Sequence, residues 1–392
     1  MGNNMSWEEN VRKVVPYVAG EQPKDTDVIK LNTNECPYPP APGVEKRAKE
    51  LCVDRLRLYP NMDAAELVAA IADYYNVKES EVFVGVGSDD VLGMAFMTFF
   101  NSDKPILFPD ITYSFYDVWA ELFKIPYETC ALDEAFRIRK EDYFRPNGGI
   151  IIPNPNAPTA IFEDCSVLEE IVAGNPGSVV IIDEAYVDFG AESALKLVEK
   201  YENLLVVQTF SKSRSLAGMR IGFAIASEKL IGYLKDVKFS YNSYTMNLPA
   251  IELGVEAVKD REYFENTVRR IIETREWTKV QLKNLGFTFT DSKSNFLFAA
   301  HEKVPAQQIF DEKLSVRDVE KLVKNLNKPA KVKKTNPVDK GLEAVYQDIE
   351  ENLKQKLSTK VAITSKGNGA GKIEIEFYSH DDLEKIMDLL SR

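Results

Sequence analysis

Two apolar runs end in residues that can do chemistry together. SVVIIDEAY (178–186) closes on Asp183, with Tyr186 three residues on. NLLVVQTFSK (203–212) closes on Ser211 and Lys212, and Arg220 follows eight residues later. A lysine at a strand end among hydroxyl residues can form a Schiff base with a carbonyl cofactor. An aspartate at the end of the adjacent strand can pair with a pyridinium nitrogen and keep the ring an electron sink. Tyr186 can then hydrogen-bond the ring's phenolic oxygen, while Ser211 and Arg220 can hold a phosphate. Upstream, VGVGSDD (84–90) is a glycine-rich turn from a strand into an apolar helix, and its backbone N–H groups also suit a phosphate. Tyr113, in ITYSFY (111–116), can stack on a planar ring.

The elements that must position these residues alternate. Strand character marks 81–87, 105–109, 148–155, 178–186, 203–211 and 221–226, and helical spacing marks 63–75 and 163–174. This order predicts an α/β fold with a mostly parallel sheet covered on both faces, whose ligand site lies at the carboxyl ends of the strands. Residues 249–285 read as one long helical region, followed by a strand at SNFLFAA (294–300) and a helix from near Pro305. The arm before residue 31 reads as a short helix and an irregular stretch.

Composition narrows the class. The 392 residues carry a net charge of −12, but unevenly: residues 1–312 hold −15 and residues 313–392 hold +3. That asymmetry predicts two modules with different jobs. No apolar stretch reaches the length of a membrane span, and the first residues lack a secretory signal's apolar core. Cys36, Cys52, Cys130 and Cys165 have no paired spacing, which fits a reducing cytoplasm. Only His301 and His380 are present, so a Ser-His-Asp set or a histidine metal site is not expected.

The motifs LNTNECPYPP (31–40), LYPN (58–61), VGVGSDD, ITYSFY, NPNAPTA (154–160), IIDEAYVDF (181–189) and TFSKSRSLAGMRIG (209–222) occur in one order. Over about 1–312 the chain thereby resembles the histidinol-phosphate aminotransferases, which are fold-type I pyridoxal-phosphate enzymes. The resemblance implies pyridoxal phosphate as cofactor, with amino-acid and 2-oxo-acid substrates. It implies Lys212 as the Schiff-base lysine, Asp183 at the pyridine nitrogen and Tyr186 at the ring oxygen. It further implies phosphate contacts from Ser88, Asp89, Ser211 and Arg220, and stacking by Tyr113. Tyr59 would reach the cofactor phosphate of a second subunit, implying a homodimer. Tyr17 and Asn34 lie where the family forms its substrate wall. Ala157 stands where the family has an asparagine, and the neighbouring Asn156 is the candidate for that contact. The same scaffold hosts aromatic-amino-acid aminotransferases and threonine-phosphate decarboxylases, so the substrate stays open between them.

The pattern breaks after residue 300. Only Arg317 and Arg392 remain there, and neither sits in a strand matching those that carry the family's substrate arginines. The resemblance therefore implies an incomplete small domain and weakened turnover. In its place, LSVRDVEKLVKNL has one apolar helical face, NKPAKVKKTNPVDKG (327–341) reads as a linker, and the rest as helix, two strands and helix. This part resembles the C-terminal module of chromosome-partitioning ParB proteins, implying dimerisation and weak non-specific DNA contact through Lys324, Lys328, Lys331, Lys333 and Lys334. The alternative reading is thus a DNA-associated dimer with an inactive head. The expected organisation is an arm with part of the small domain (1–30), a cofactor-binding large domain (31–285), and a truncated small domain (286–312). A helix and linker (313–341) and a ParB-like α-β-β-α module (342–392) follow.

Overall fold

The computed structural model describes residues 10–17, 30–304, 340–357, 359–365, 371–375, 386, 387 and 389. It divides into two compact units, Met1–Val323 and Lys324–Arg392.

The first unit is built on a seven-stranded sheet. Its strands are β1 (Val82–Gly85), β2 (Ile106–Pro109), β3 (Tyr127–Cys130), β4 (Gly149–Pro153), β5 (Val180–Asp183), β6 (Leu204–Thr209) and β7 (Gly222–Ala226), in the order β1-β7-β6-β5-β4-β2-β3. β7 pairs antiparallel with both of its neighbours, while β3, β2, β4, β5 and β6 run parallel. The mostly parallel α/β fold expected from the alternation is therefore present. Side chains alternate between two apolar layers: Ile150, Ile152, Val180 and Ile182 face one, Ile151 and Ile181 the other. Both layers are dry, which is why these strands read as continuous apolar runs. Helices α1 (Pro42–Lys49), α2 (Ala65–Tyr75), α3 (Ser88–Phe99), α4 (Tyr116–Phe123), α5 (Cys165–Gly174) and α6 (Glu228–Tyr241) are interspersed with the strands.

Three expectations change. Residues 249–285 form two helices, α7 (Leu248–Lys259) and α8 (Arg261–Asn284), not one. Asp260 breaks the run with ψ 72° and caps α8, its carboxylate accepting from the Tyr263 N–H at 3.1 Å. In SNFLFAA only Ala299–Ala300 pairs, as β9, with β8 (Thr288–Phe289). The preceding residues turn toward the cleft described below. β3 is a further strand, unexpected because its residues are mostly exposed and carry little apolar pattern.

In the second unit, α9 (Lys340–Leu357) precedes a hairpin of β10 (Val361–Ser365) and β11 (Gly371–Ile375), with Val361 opposite Ile375. Glu350 on α9 accepts from the Ile363 N–H, tying helix to hairpin. Leu357, Val361 and Ile386 are buried, while Val345, Ile349, Ile373 and Met387 are exposed. Most of the expected arm helix, the helices from Pro305 and over 316–326, the lysine-rich linker up to residue 339 and most of the closing helix lie outside the described residues, while Lys340 and Gly341, expected in the linker, open α9.

Candidate active site

The carboxyl ends of the parallel strands converge on one cleft of about 120 Å³. Pro153 ends β4, Asp183 ends β5 and Thr209 ends β6, and all three line it. Ser88 and Asp89, at the start of α3, and Tyr113, after β2, complete the wall with Tyr186, Ser211, Lys212 and Arg220. Residues scattered from 88 to 220 thus meet because the sheet delivers each loop to the same edge.

Asp183 sits at the dry end, 5% exposed. Its Oδ2 accepts from the Tyr116 hydroxyl at 2.9 Å and its Oδ1 from the Ala185 N–H at 3.2 Å. Burial pushes its carboxyl up to about 6, against the pull of those two donors. The Lys212 ammonium donates to the Thr33 carbonyl at 2.7 Å and lies 5.6 Å from the centre of the Tyr186 ring. Burial lowers its pKa, opposed by the charges of Asp89 and Glu35. That shift brings the amine toward the neutral form a nucleophile needs. The Tyr186 hydroxyl accepts from Asn34 Nδ2 at 3.1 Å, and burial raises its pKa.

The opposite end is polar and half open. Arg220 donates to Ser211 Oγ at 3.3 Å and to Asp89 Oδ2 at 3.2 Å, and the Tyr113 hydroxyl donates to Asp89 Oδ1 at 3.0 Å. Thr209 Oγ1 donates to Ser211 Oγ at 3.0 Å and accepts from the Ser211 N–H at 3.1 Å, fixing the serine. Gly87 has φ +86°, and a Cβ there would collide with the Arg220 guanidinium. A Cβ at Gly222 would strike the Gly87 backbone, so the turn and β7 approach only as glycines. Arg220 and Asn34 themselves hold left-handed backbones, φ 52° and 53°. Such conformations persist when surrounding contacts over-determine them, and both side chains here are held at the cleft.

Three further candidates are not among the lining residues, Tyr59 in keeping with its expected place at a second subunit's cleft. Asn156 does not line the cleft. Its amide donates to the Ile111 carbonyl and to Thr159 Oγ1, both at 2.9 Å, bracing the loop. Tyr59 is 82% exposed and packs on Tyr244, away from its own chain's cleft lining. Tyr17 packs on Phe115, with ring centres 4.3 Å apart, beside Tyr113. Tyr116, Thr209 and the Thr33 carbonyl are contributors that sequence reasoning missed. Tyr116 lay within ITYSFY, three residues from the tyrosine that was singled out. A larger depression of about 460 Å³ lies between α1 and α7, but its Arg47 and Arg55 are both tied to Glu252.

A family model for aminotransferase class I and II matches residues 26–324, and the chain belongs to that family. Its relatives are specific. The chain is 47% identical over 356 residues to the histidinol-phosphate aminotransferase of Lactococcus lactis subsp. cremoris (strain MG1363), covering 90% of this chain and 99% of that one. It is 51% identical over 303 residues to the histidinol-phosphate aminotransferase of Brachyspira hyodysenteriae, covering 77% and 86%. Among solved structures, the histidinol-phosphate aminotransferase of Clostridium acetobutylicum matches with TM-score 0.66 at 21% identity, over 72% of this chain and 85% of that one. That of Sinorhizobium meliloti, in complex with pyridoxal-5'-phosphate, matches with TM-score 0.64 at 19% identity, over 69% and 75%. These two show the shared fold. A second family model, the ParB dimerisation domain, matches residues 343–391.

The cleft fits the family's cofactor, pyridoxal phosphate. The α3 N-terminus, Ser211 and Arg220 make an anion cradle that a side chain at Gly87 would fill. A carboxylate closes the far end, an amine stands between, and Tyr113 lines the wall. Among the described residues, no helix is long and apolar enough to cross a membrane, and no cluster of ligands could hold a metal ion.

Proposed function

We propose that the chain moves an amino group between histidinol phosphate and 2-oxoglutarate, with pyridoxal phosphate held on Lys212. The observation that carries this reading is the meeting of Asp183, Lys212 and Arg220 in one cleft at the strand ends, in a chain whose relatives bear that activity's name. Bound there, the cofactor supplies a carbonyl for the lysine and an electron-withdrawing ring. The remaining work falls to the chain. Arg220, Ser211 and the amides of Ser88 and Asp89 hold the phosphate end. Asp183 faces the ring nitrogen and keeps it protonated, and Tyr186 and Asn34 meet the ring oxygen. With its amine free, Lys212 would be the general base that takes the proton from the amine-bearing carbon of the substrate and passes it to the carbon that receives the amine, and burial, which lowers its pKa, favours the neutral form this needs. Tyr113 stacks on the ring.

The wider setting is part of the proposal. Exposed Val53, Leu56, Leu58, Tyr59 and Tyr244 support a second copy covering that face, which would carry Tyr59 to the partner's cleft. Exposed Val345, Ile349 and Ile373 support dimerisation of the second unit, whose family match is a dimerisation domain. All four cysteines are free, as in a cytoplasmic protein.

The test is an absorbance titration of the purified chain with pyridoxal phosphate, followed by histidinol phosphate or glutamate. The reading expects a lysine-bound band that bleaches with either amine donor, more slowly than a family member with its small-domain arginines. A band indifferent to both donors would overturn the transferase reading. Absence of a band would overturn the cofactor assignment too.

A further inference from the structure

We propose that Tyr116 is the positioning residue that holds the Asp183 carboxylate in line with the cofactor's ring nitrogen. The inference rests on the reading of Asp183 given above and adds the group that acts through it. Tyr116 is the first residue of α4 and is fully buried. It does not line the cleft, so it acts on the ring through what it touches there: Asp183, by a hydrogen bond, and Tyr113, by ring packing that does not depend on the ring nitrogen.

Its hydroxyl has little freedom. Phe96, Phe108, Tyr113 and Trp119 surround the ring, with centroids 5.7 to 6.4 Å away. Interiors packed this way do not let a side chain drift by an ångström. The hydroxyl therefore stands at a fixed point, and at that point it donates to Asp183 Oδ2 at 2.9 Å. The Ala185 N–H fixes Oδ1 from the other side. With each oxygen holding one donor, the carboxylate plane is set and each oxygen keeps acceptor capacity for a ring N–H. Without the phenol, Oδ2 would be a buried carboxylate oxygen lacking its donor, a costly state that favours rotation or protonation. The same bond opposes the upward push of burial on this carboxyl, which is the direction ring-nitrogen pairing needs.

The test compares two ligands on the full chain, wild type and Tyr116→Phe. One is pyridoxal phosphate. The other is its 1-deaza analogue, in which a CH replaces the ring nitrogen. Dissociation constants are read by equilibrium dialysis. The expected result is a loss of about five- to tenfold for pyridoxal phosphate, with the analogue changed less than about twofold. An equal loss for both ligands would show that Tyr116 serves packing alone and overturn the proposal. No loss for either would overturn it as well. If Tyr116→Phe does not fold, 3-fluorotyrosine at position 116 keeps the shape and strengthens the donor. It should tighten pyridoxal phosphate relative to the analogue, and an unchanged ratio would again overturn the proposal. Failure of the wild-type chain to bind pyridoxal phosphate would instead strike the reading of the cleft on which this one stands.

Discussion

The two ends of the cleft each hold a carboxylate beside a strong donor, yet they are built for opposite tasks. At the ring-nitrogen end Asp183 and Tyr116 are buried, and the carboxyl is pushed up to about 6. At the phosphate end the Asp89–Arg220 pair is more than two-fifths exposed on both sides, beside two hydroxyls and a helix N-terminus. In the dry end each contact is strong and a single group can be tuned. In the wet end water screens each contact, and holding an anion takes several of them. The cleft thus separates tuning from grip.

Substitutions at matching positions should expose that separation. The largest effect is expected for Asp183→Asn, which removes a buried, hydrogen-bonded charge. Turnover should fall by roughly a hundred- to a thousandfold, read as kcat/KM. The same variant should make the cofactor-free protein more stable, by roughly 1–3 kcal/mol in thermal or urea unfolding, because an ionised carboxylate no longer has to be buried. Next comes Gly87→Ala, whose methyl must displace the Arg220 guanidinium. Cofactor affinity should fall about ten- to a hundredfold, the loss of one or two charge-assisted hydrogen bonds, with kcat of the loaded enzyme nearly kept.

A pH series sharpens the contrast further. The Asp183 carboxyl is raised in the fold from 3.8 to about 6. Below about 6 the folded chain takes up a proton before the unfolded chain does. This group's contribution to stability therefore rises as pH falls from about 6 toward 4. Cofactor loading should move the other way, dropping over the same range as the ring nitrogen loses its anion. Asp183→Asn should abolish both trends. The smallest effect is expected for Asp89→Asn, where an exposed pair contributes at most about 1 kcal/mol. Cofactor affinity should change by less than about fivefold in dialysis. A hundredfold loss there would erase the distinction between the two ends.

What the chain order revealed and what it hid follows the same physics. Asp183, Lys212 and Tyr113 were legible because each follows an apolar run; Arg220 instead directly precedes one, that of β7, which runs antiparallel and so starts at the same sheet edge. Tyr116 was not legible, since a tyrosine opening an amphipathic helix looks like core. Only the fold shows that its hydroxyl reaches a strand end 67 residues away. The Thr33 carbonyl that holds Lys212 is backbone, and no side-chain pattern announces it. The order of residues could not say which way the Asn156 amide points; in the fold its Nδ2 is taken by the Ile111 carbonyl and Thr159 Oγ1. The break at Asp260 left a readable trace, an aspartate three residues before Tyr263, inside a stretch whose apolar spacing ran through it. SNFLFAA shortened as a strand because Asn295 turns to bond the Asn34 carbonyl and Phe296 sets its edge on Tyr186. The hairpin of the second unit was legible from its alternating residues and the glycine-rich stretch between them.

The central claim is that Lys212 carries the cofactor. Its most direct test is borohydride reduction of the chain loaded with pyridoxal phosphate, followed by peptide mapping by mass spectrometry. The account predicts one pyridoxyl group per chain, on the peptide containing Lys212, and none in Lys212→Ala. A label on another lysine, such as the buried Lys238, or no label at all, would contradict it.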